Sequence, residues 1–182
     1  MQGLSKWAPH TDMSIQTGYL DSNGHPRLTI RVSGTHPTAC ADIEAMIDTG
    51  FTGFLMLPIA IALPLGLVLY GTGNYTLADG SQVTNFLAQG TVTVLAPTIA
   101  PVAILPGAPP VPVSDLTPES IAGTIVLGGD GPLLGMEFIR NLDKMLMVGK
   151  TVILIDNAVL TALQQQAVQQ QTAAAAPPTN QP

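Results

Sequence analysis

Apolar and polar positions alternate with a period of two along several stretches of the chain, the pattern of strands that bury one face. Ile15, Thr17 and Tyr19 alternate before the turn-forming run Asp21-Ser22-Asn23-Gly24, and Leu28, Ile30 and Val32 alternate with Thr29 and Arg31 after it, which predicts a hairpin. Residues 33–38 hold Gly34 and Pro37 and read as a loop, followed by a strand over 39–47 that runs into a turn at Asp48. A short helix is predicted over 59–63, starting near Pro58 because proline suits a first helical turn, and a strand over 65–70. Gly71-Thr72-Gly73 reads as a loop. Residues 74–77 and 82–86 form a hairpin across Ala78-Asp79-Gly80-Ser81, in which Asp-Gly is the turn signal, and the pattern continues through 91–95. A strand over 121–127 is turned by Gly128-Gly129-Asp130-Gly131. A short helix over 136–142 and a last hairpin, 145–148 with 152–155 around Gly149-Lys150, complete the pattern.

Composition changes this picture at three places. Residues 1–12 are polar without a period, which predicts a flexible arm. Residues 96–118 carry Pro97, Pro101, Pro106, Pro109, Pro110, Pro112 and Pro118, so an extended or polyproline-like course is expected there, with a strand surviving near 102–105. After Asp156 the chain becomes Gln- and Ala-rich: a helix is predicted over 157–171, and Ala, Pro and polar residues without a core-forming pattern over 172–182 predict disorder. One domain over 13–156 is the expectation, within a total of 182 residues.

Hydrophobic residues make up 46% of the chain and charged ones 10%, so there is ample core material and some apolar surface is expected between subunits. A formal net charge of -6 without a basic patch excludes a nucleic-acid partner. Cys40 is the only cysteine, which rules out an intrachain disulfide and, with no nucleophile's company around it, predicts a small buried hydrophobe. Residues 54–70 are uncharged, but Pro58, Pro64 and Gly66 interrupt them, so strand and short helix are expected rather than a membrane span. The start of the chain lacks a basic region followed by an apolar run, and a cytoplasmic location is the expectation.

The candidate chemistry centres on residues 45–58, where Asp48 stands between one apolar run and another, next to Gly50. A carboxylate in that setting is costly to bury without partners, which points to a special site; a strand ending in an Asp-containing turn is the plainer reading. Met46-Ile47-Asp48-Thr49-Gly50 resembles the catalytic loop of aspartic peptidases. Pro132-Leu133-Leu134-Gly135-Met136-Glu137-Phe138-Ile139 resembles the second signature of the single-domain, retropepsin-like members, and Leu77-Ala78-Asp79-Gly80-Ser81 lies where that family carries its flap. The three motifs occur in the family's order and span roughly residues 15–155.

That resemblance implies an all-β fold, a closed acid-protease-type β-barrel with one or two short helices and one lobe per chain. It implies Asp48 as the catalytic carboxylate, Thr49 as a buried hydroxyl bonded to a partner's loop, and Gly50 as the residue that permits the tight loop. Ala78, Asp79, Gly80 and Ser81 would be the flap that binds an extended peptide, and Leu133, Leu134 and Gly135 would support the catalytic loop from behind. Leu55, Val83 and Ile104 are candidate pocket walls or ordinary core. Only one Asp-Thr/Ser-Gly triplet is present, so the two carboxylates that peptide hydrolysis needs imply a C2 homodimer joining Asp48 to its copy. Terminal strands of such dimers interlace, with 13–19 and 151–155 as the candidates. The proline-rich stretch and the Gln-rich tail are additions to the family's minimal pattern. No cofactor is implied.

Other motifs lack their context. Val148-Gly149-Lys150-Thr151 resembles the end of a phosphate-binding loop, but Lys144 occupies the first-glycine position and a strand pattern follows where a helix is needed. His10, His25 and His36 sit in polar segments without metal-ligand spacing, so solvated histidines are expected rather than a metal site. Two functions remain open on the sequence: an aspartic endopeptidase acting on peptide or protein substrates, and a non-catalytic dimeric peptide-binding or assembly module on the same fold.

Overall fold

The computed structural model describes residues 15–34, 36, 38–76, 79–95, 98–99, 120–157, 160–161, 164–165 and 167–168. The arm, most of the proline-rich stretch, Ile104, flap residues Leu77 and Ala78, and the end of the tail lie outside them. The protein is mostly β. Its strands are β1 (Ile15–Leu20), β2 (Pro26–Ser33), β3 (Cys40–Ile47), β4 (Leu55–Leu57), β5 (Val68–Thr76), β6 (Gln82–Val94), β7 (Thr98–Ile99), β8 (Ser120–Leu127), β9 (Leu133–Leu134), β10 (Lys144–Val148) and β11 (Val152–Asp156). Helix α1 (Ile59–Ala62) follows Pro58 and tightens into a 3₁₀ turn, Leu63–Leu65; α2 (Met136–Asn141) follows β9. Asn157 and the described residues between 160 and 168 are helical. Among the described residues no helix is long and apolar enough to cross a membrane.

Strands neighbour one another in the order β10-β11-β1-β2-β3-β9-β4-β8-β6-β5, with β7 on β1 and a further pairing of β2 with β6. Alternation decides which faces are buried. Leu28, Ile30 and Val32 of β2 are fully buried, as are Ala88 and Val92 of β6, Ile125 of β8 and Leu154 of β11, and they join Phe54, Leu134 and Phe138 in the main core. A second, smaller cluster of Phe51, Met56 and Val126, with Tyr75, Leu87 and Leu133 against it, lies beside the loop that carries Asp48.

Several expectations are corrected here. Cys40 is exposed rather than buried, because it opens β3 at a position whose alternate neighbours, Asp42 and Glu44, face outward. On that face Arg31 pairs with Asp42 in a two-pronged contact of 2.6 and 2.8 Å across the β2–β3 ladder. The Gly71-Thr72-Gly73 loop is part of β5, whose ladder with β6 absorbs the glycines through a register shift between Leu69 and Gly71. The strand expected from residue 65 begins at Val68, since Leu63–Leu65 continue α1 as a 3₁₀ turn closed by Gly66 at φ 58°.

The terminal strands also differ from the interlaced arrangement. β1 pairs with β11 of its own chain, Ile15 opposite Ile155 through Gly18 opposite Val152. β11 has β10 on its other side, while β1 has β7 and then β2 on its other side. The ladder groups of both strands are thus used within one chain.

Candidate functional site

The loop after β3 is built by pairing two distant segments. Met46 and Ile47 lie parallel to Leu133 and Leu134, and the Asp48 N–H continues the ladder by donating to the Leu134 carbonyl at 2.9 Å. Beyond Asp48 the chain turns: the Phe51 N–H reaches the Asp48 carbonyl at 3.2 Å, and the Gly50 N–H donates to Asp48 Oδ1 at 2.8 Å. Asp48 is half-buried; Thr49 and Gly50 are exposed. Thr49 is thus not enclosed by its own chain, although the resemblance assigns it a buried, paired hydroxyl.

Leu133, Leu134 and Gly135 stand directly behind this loop. Helix α2 leaves its first N–H groups without intrahelical partners, and no side chain caps it. The loop supplies the acceptors: Met136 N–H donates to the Phe51 carbonyl at 2.8 Å and Glu137 N–H to the Gly53 carbonyl at 3.2 Å. Gly135 N–H donates to the Phe54 carbonyl at 3.1 Å. Helix start and Asp48 loop therefore satisfy each other's backbone.

The fit leaves no room at Gly135. A Cβ there would run into the Gly53 carbonyl and come within 2.6 Å of the Phe51 ring and carbonyl, although its φ of -97° suits any residue. Gly135→Ala is therefore expected to destabilise the protein by about 2 kcal/mol through overpacking. Gly131→Ala, where nothing lies within 4 Å, is expected to be near neutral. Thermal unfolding of the two variants side by side checks this.

A cleft of about 450 Å³ opens beside Asp48, lined by His25, Pro26, Met46, Ile47, Asp48, Thr49, Leu146 and Val148. Two elements that the motifs do not associate with Asp48 meet it there: the end of the β1–β2 turn, and β10 through Leu146 and Val148. No local pattern marks them, because their proximity to Asp48 arises from strand pairing: the turn arrives through β2, whose Arg27 lies opposite Met46, and β10 arrives beside β11, whose Ile155 lies opposite Ile15.

The β1–β2 turn is held by one carboxylate. Asp21 Oδ1 accepts the Asn23 and His25 N–H groups, both at 2.9 Å, and Oδ2 accepts Arg27 Nε at 2.7 Å. His25 Nδ1 lies 3.6 Å from the same Oδ2, and the imidazole, 53% exposed, stands at the cleft. The Arg27 guanidinium and the backbone donors hold the Asp21 carboxyl down to about 2. A depressed carboxylate stabilises the fold above its unfolded value of about 3.8, and this contribution is lost as pH falls through about 2. Asp21→Asn, which keeps an oxygen for the turn N–H groups, is expected to melt below wild type at pH 7, with the gap closing between about pH 4 and pH 2. Melting temperatures across that range measure it.

The hairpin to which the resemblance assigns the flap is present where the sequence places it, with Asn74, Tyr75 and Thr76 opposite Thr84, Val83 and Gln82. At its tip Asp79 is spent locally: its Oδ1 accepts the Ser81 N–H at 2.9 Å and the Ser81 hydroxyl at 2.7 Å, contacts that pull its carboxyl below the ordinary range. Gly80 takes the turn at φ 84°. Asp79, Gly80 and Ser81 do not line the Asp48 cleft. Close to its turn the hairpin does approach the loop, through Tyr75, whose ring centroid is 6.3 Å from that of Phe51; burial there pushes the Tyr75 hydroxyl up. Of the candidate walls, Leu55 is fully buried core and Val83 is half-buried in the hairpin.

No protein-family model matches the chain, and no curated protein matches it either. Among the described residues no group of three or more His, Cys, Asp or Glu is placed to hold a metal ion. The cleft's titratable side chains are His25 and Asp48.

Proposed function

We propose that this chain is an aspartic endopeptidase of the retropepsin type, active as a C2 homodimer in which each copy contributes one Asp48. The observation that carries the reading is the Asp48 loop itself. A half-buried carboxylate is fixed at the edge of an open cleft by Gly50 N–H, and its backbone is tied to Leu134, in the sequence frame Asp-Thr-Gly. A closed acid-protease barrel belongs to the same proposal; the β2–β6 pairing, which links the two ends of the run β2-β3-β9-β4-β8-β6, supports it.

In this mechanism two carboxyl groups a few ångströms apart share one proton, because like charges that close resist joint ionisation. The ionised Asp48 takes a proton from water as the water oxygen bonds to the scissile carbonyl carbon. The partner's Asp48, protonated, gives its proton to the carbonyl oxygen. Collapse of the resulting diol breaks the C–N bond: the first Asp48, now protonated, gives its proton to the leaving nitrogen, while the partner's Asp48, now ionised, takes one from a diol hydroxyl and so restores the shared proton. The substrate is an extended segment of peptide or protein lying between cleft and flap, bonded through its main chain as an added strand.

The test is cleavage of a mixed peptide library by the full chain between about pH 3 and pH 7, with molecular mass measured on the same sample. Cleavage by a dimer is the expected result. A folded dimer that cleaves nothing across this range overturns the peptidase and leaves a dimeric peptide-binding module; a monomer that cleaves overturns the shared pair of carboxylates.

A further inference from the structure

A sheet edge is normally blunted by a charged side chain, a proline or a bulge, since its outward N–H and C=O groups template pairing with another chain. β10 shows none of these. Among the described strands it pairs only with β11, in unbroken register from Lys144 opposite Asp156 to Val148 opposite Val152. Its charge is withdrawn: the Lys144 side chain is 6% exposed, with its ammonium 3.6 Å from Asp156 Oδ2. What β10 presents to solvent is apolar, with Met145 37%, Met147 47% and Val148 52% exposed.

The two faces of β10 have different surroundings. Leu146 and Val148 line the Asp48 cleft, while the methionines lie on the opposite face. The backbone alternation is set by the Gly149 N–H, which donates to the Thr151 carbonyl at 3.0 Å. Val148 and Val152 are then a non-hydrogen-bonded pair, so residues 145 and 147 bond to β11 while Leu146 and Val148 turn their N–H and C=O outward.

From these observations we infer that β10 is the dimerisation strand, pairing antiparallel with β10 of a second copy about a twofold axis through Leu146. The inference rests on the peptidase reading for its choice of occupant: a cleft that holds one carboxylate per chain is completed by another copy of itself. The register is self-complementary. Leu146 meets its own copy and Met145 meets Met147, so apolar side chains face one another at these pairs; Val148 meets Lys144, and no like charges are opposed. A twofold axis between antiparallel strands stands perpendicular to the sheet and keeps each face on its own side. The two Leu146–Val148 walls, and with them the two Asp48 clefts, therefore open on the same side of the joined sheet. This arrangement needs no exchange of β1 or β11, whose ladders are already filled.

Three chains test it. Met145→Lys with Met147→Lys sets ammonium groups opposite each other across the axis and is expected to weaken the dimer on the order of tenfold or more. Met145→Glu with Met147→Lys sets opposite charges there and is expected to restore it. Sedimentation velocity across a concentration series reads the masses, and circular dichroism confirms that each chain is folded. Amide exchange on the wild type needs no variant: the Leu146 and Val148 N–H groups are expected to slow as concentration carries the chain from monomer to dimer. A monomeric wild type, a dimer indifferent to the charge pattern, or β10 amides that exchange equally fast in the dimer overturns the inference. A dimer that obeys the charge pattern but cleaves no peptide establishes the β10 interface and overturns the peptidase.

Discussion

Asp48→Asn is expected to abolish peptide cleavage while leaving the chain folded and dimeric. An asparagine oxygen can still accept the Gly50 N–H that Asp48 Oδ1 now accepts at 2.8 Å, and the bond from the Asp48 N–H to the Leu134 carbonyl is main-chain and survives. What disappears is the capacity to take a proton from water and return one. In a dimer of the proposed kind both copies lose it together, so no residual carboxylate can substitute. Positioned acid-base groups contribute factors of about 10² to 10⁴, so a fall on the order of 10³ or more is expected, equivalent to roughly 4 kcal/mol of barrier. Exchanging a charge-assisted bond for a neutral one costs about 1 kcal/mol, too little to unfold the protein. Cleavage rates of wild type and variant on one peptide, with melting curves for both, separate the two effects. A variant that cleaves at the wild-type rate places the chemistry elsewhere.

The largest loss of stability is expected for Phe54→Ala. Phe54 is fully buried and meets Phe138 of α2 edge-on, with ring centroids 5.5 Å apart and an interplanar angle of 72°. Its other side lies against Gly123 of β8, where an added Cβ would come within 2.5 Å of the ring. The ring therefore locks three elements: the end of the Asp48 loop, the helix whose first N–H groups that loop satisfies, and a central strand. Truncation removes the apolar burial and leaves a cavity that a backbone pinned on both sides cannot close, at a cost of about 3–5 kcal/mol. For a chain of this size that is a fall in Tm of roughly 10–15 °C, measurable by calorimetry. Cleavage should fall as well, even below the melting range, because the loop carrying Asp48 loses its anchor against α2. Loss of stability with unchanged cleavage at low temperature would show that the loop is held without the ring.

Local pattern determined much of this protein. Period-two alternation located β2, apolar stretches located β3 and β8 within a residue or two, Pro58 marked the start of α1, and Asp79-Gly80 marked the hairpin turn. Each is written in adjacent residues, through side-chain direction or a required φ. The candidate carboxylate was equally legible, since Asp48-Thr49-Gly50 and Leu133-Leu134-Gly135 are contiguous motifs. Local pattern failed where a competing pairing decided. Gly71-Thr72-Gly73 became strand because β6 offered a long ladder that tolerates a bulge, and Cys40 became exposed because its phase in β3 outweighed its apolarity. The cleft was decided by tertiary structure alone. His25 reaches it through a turn held by Asp21 and Arg27, and Leu146 and Val148 reach it because β11 pairs with β1 and carries β10 alongside. A sequence fixes each strand's faces locally, but which strand lies beside which is settled only when all the ladders compete for partners at once.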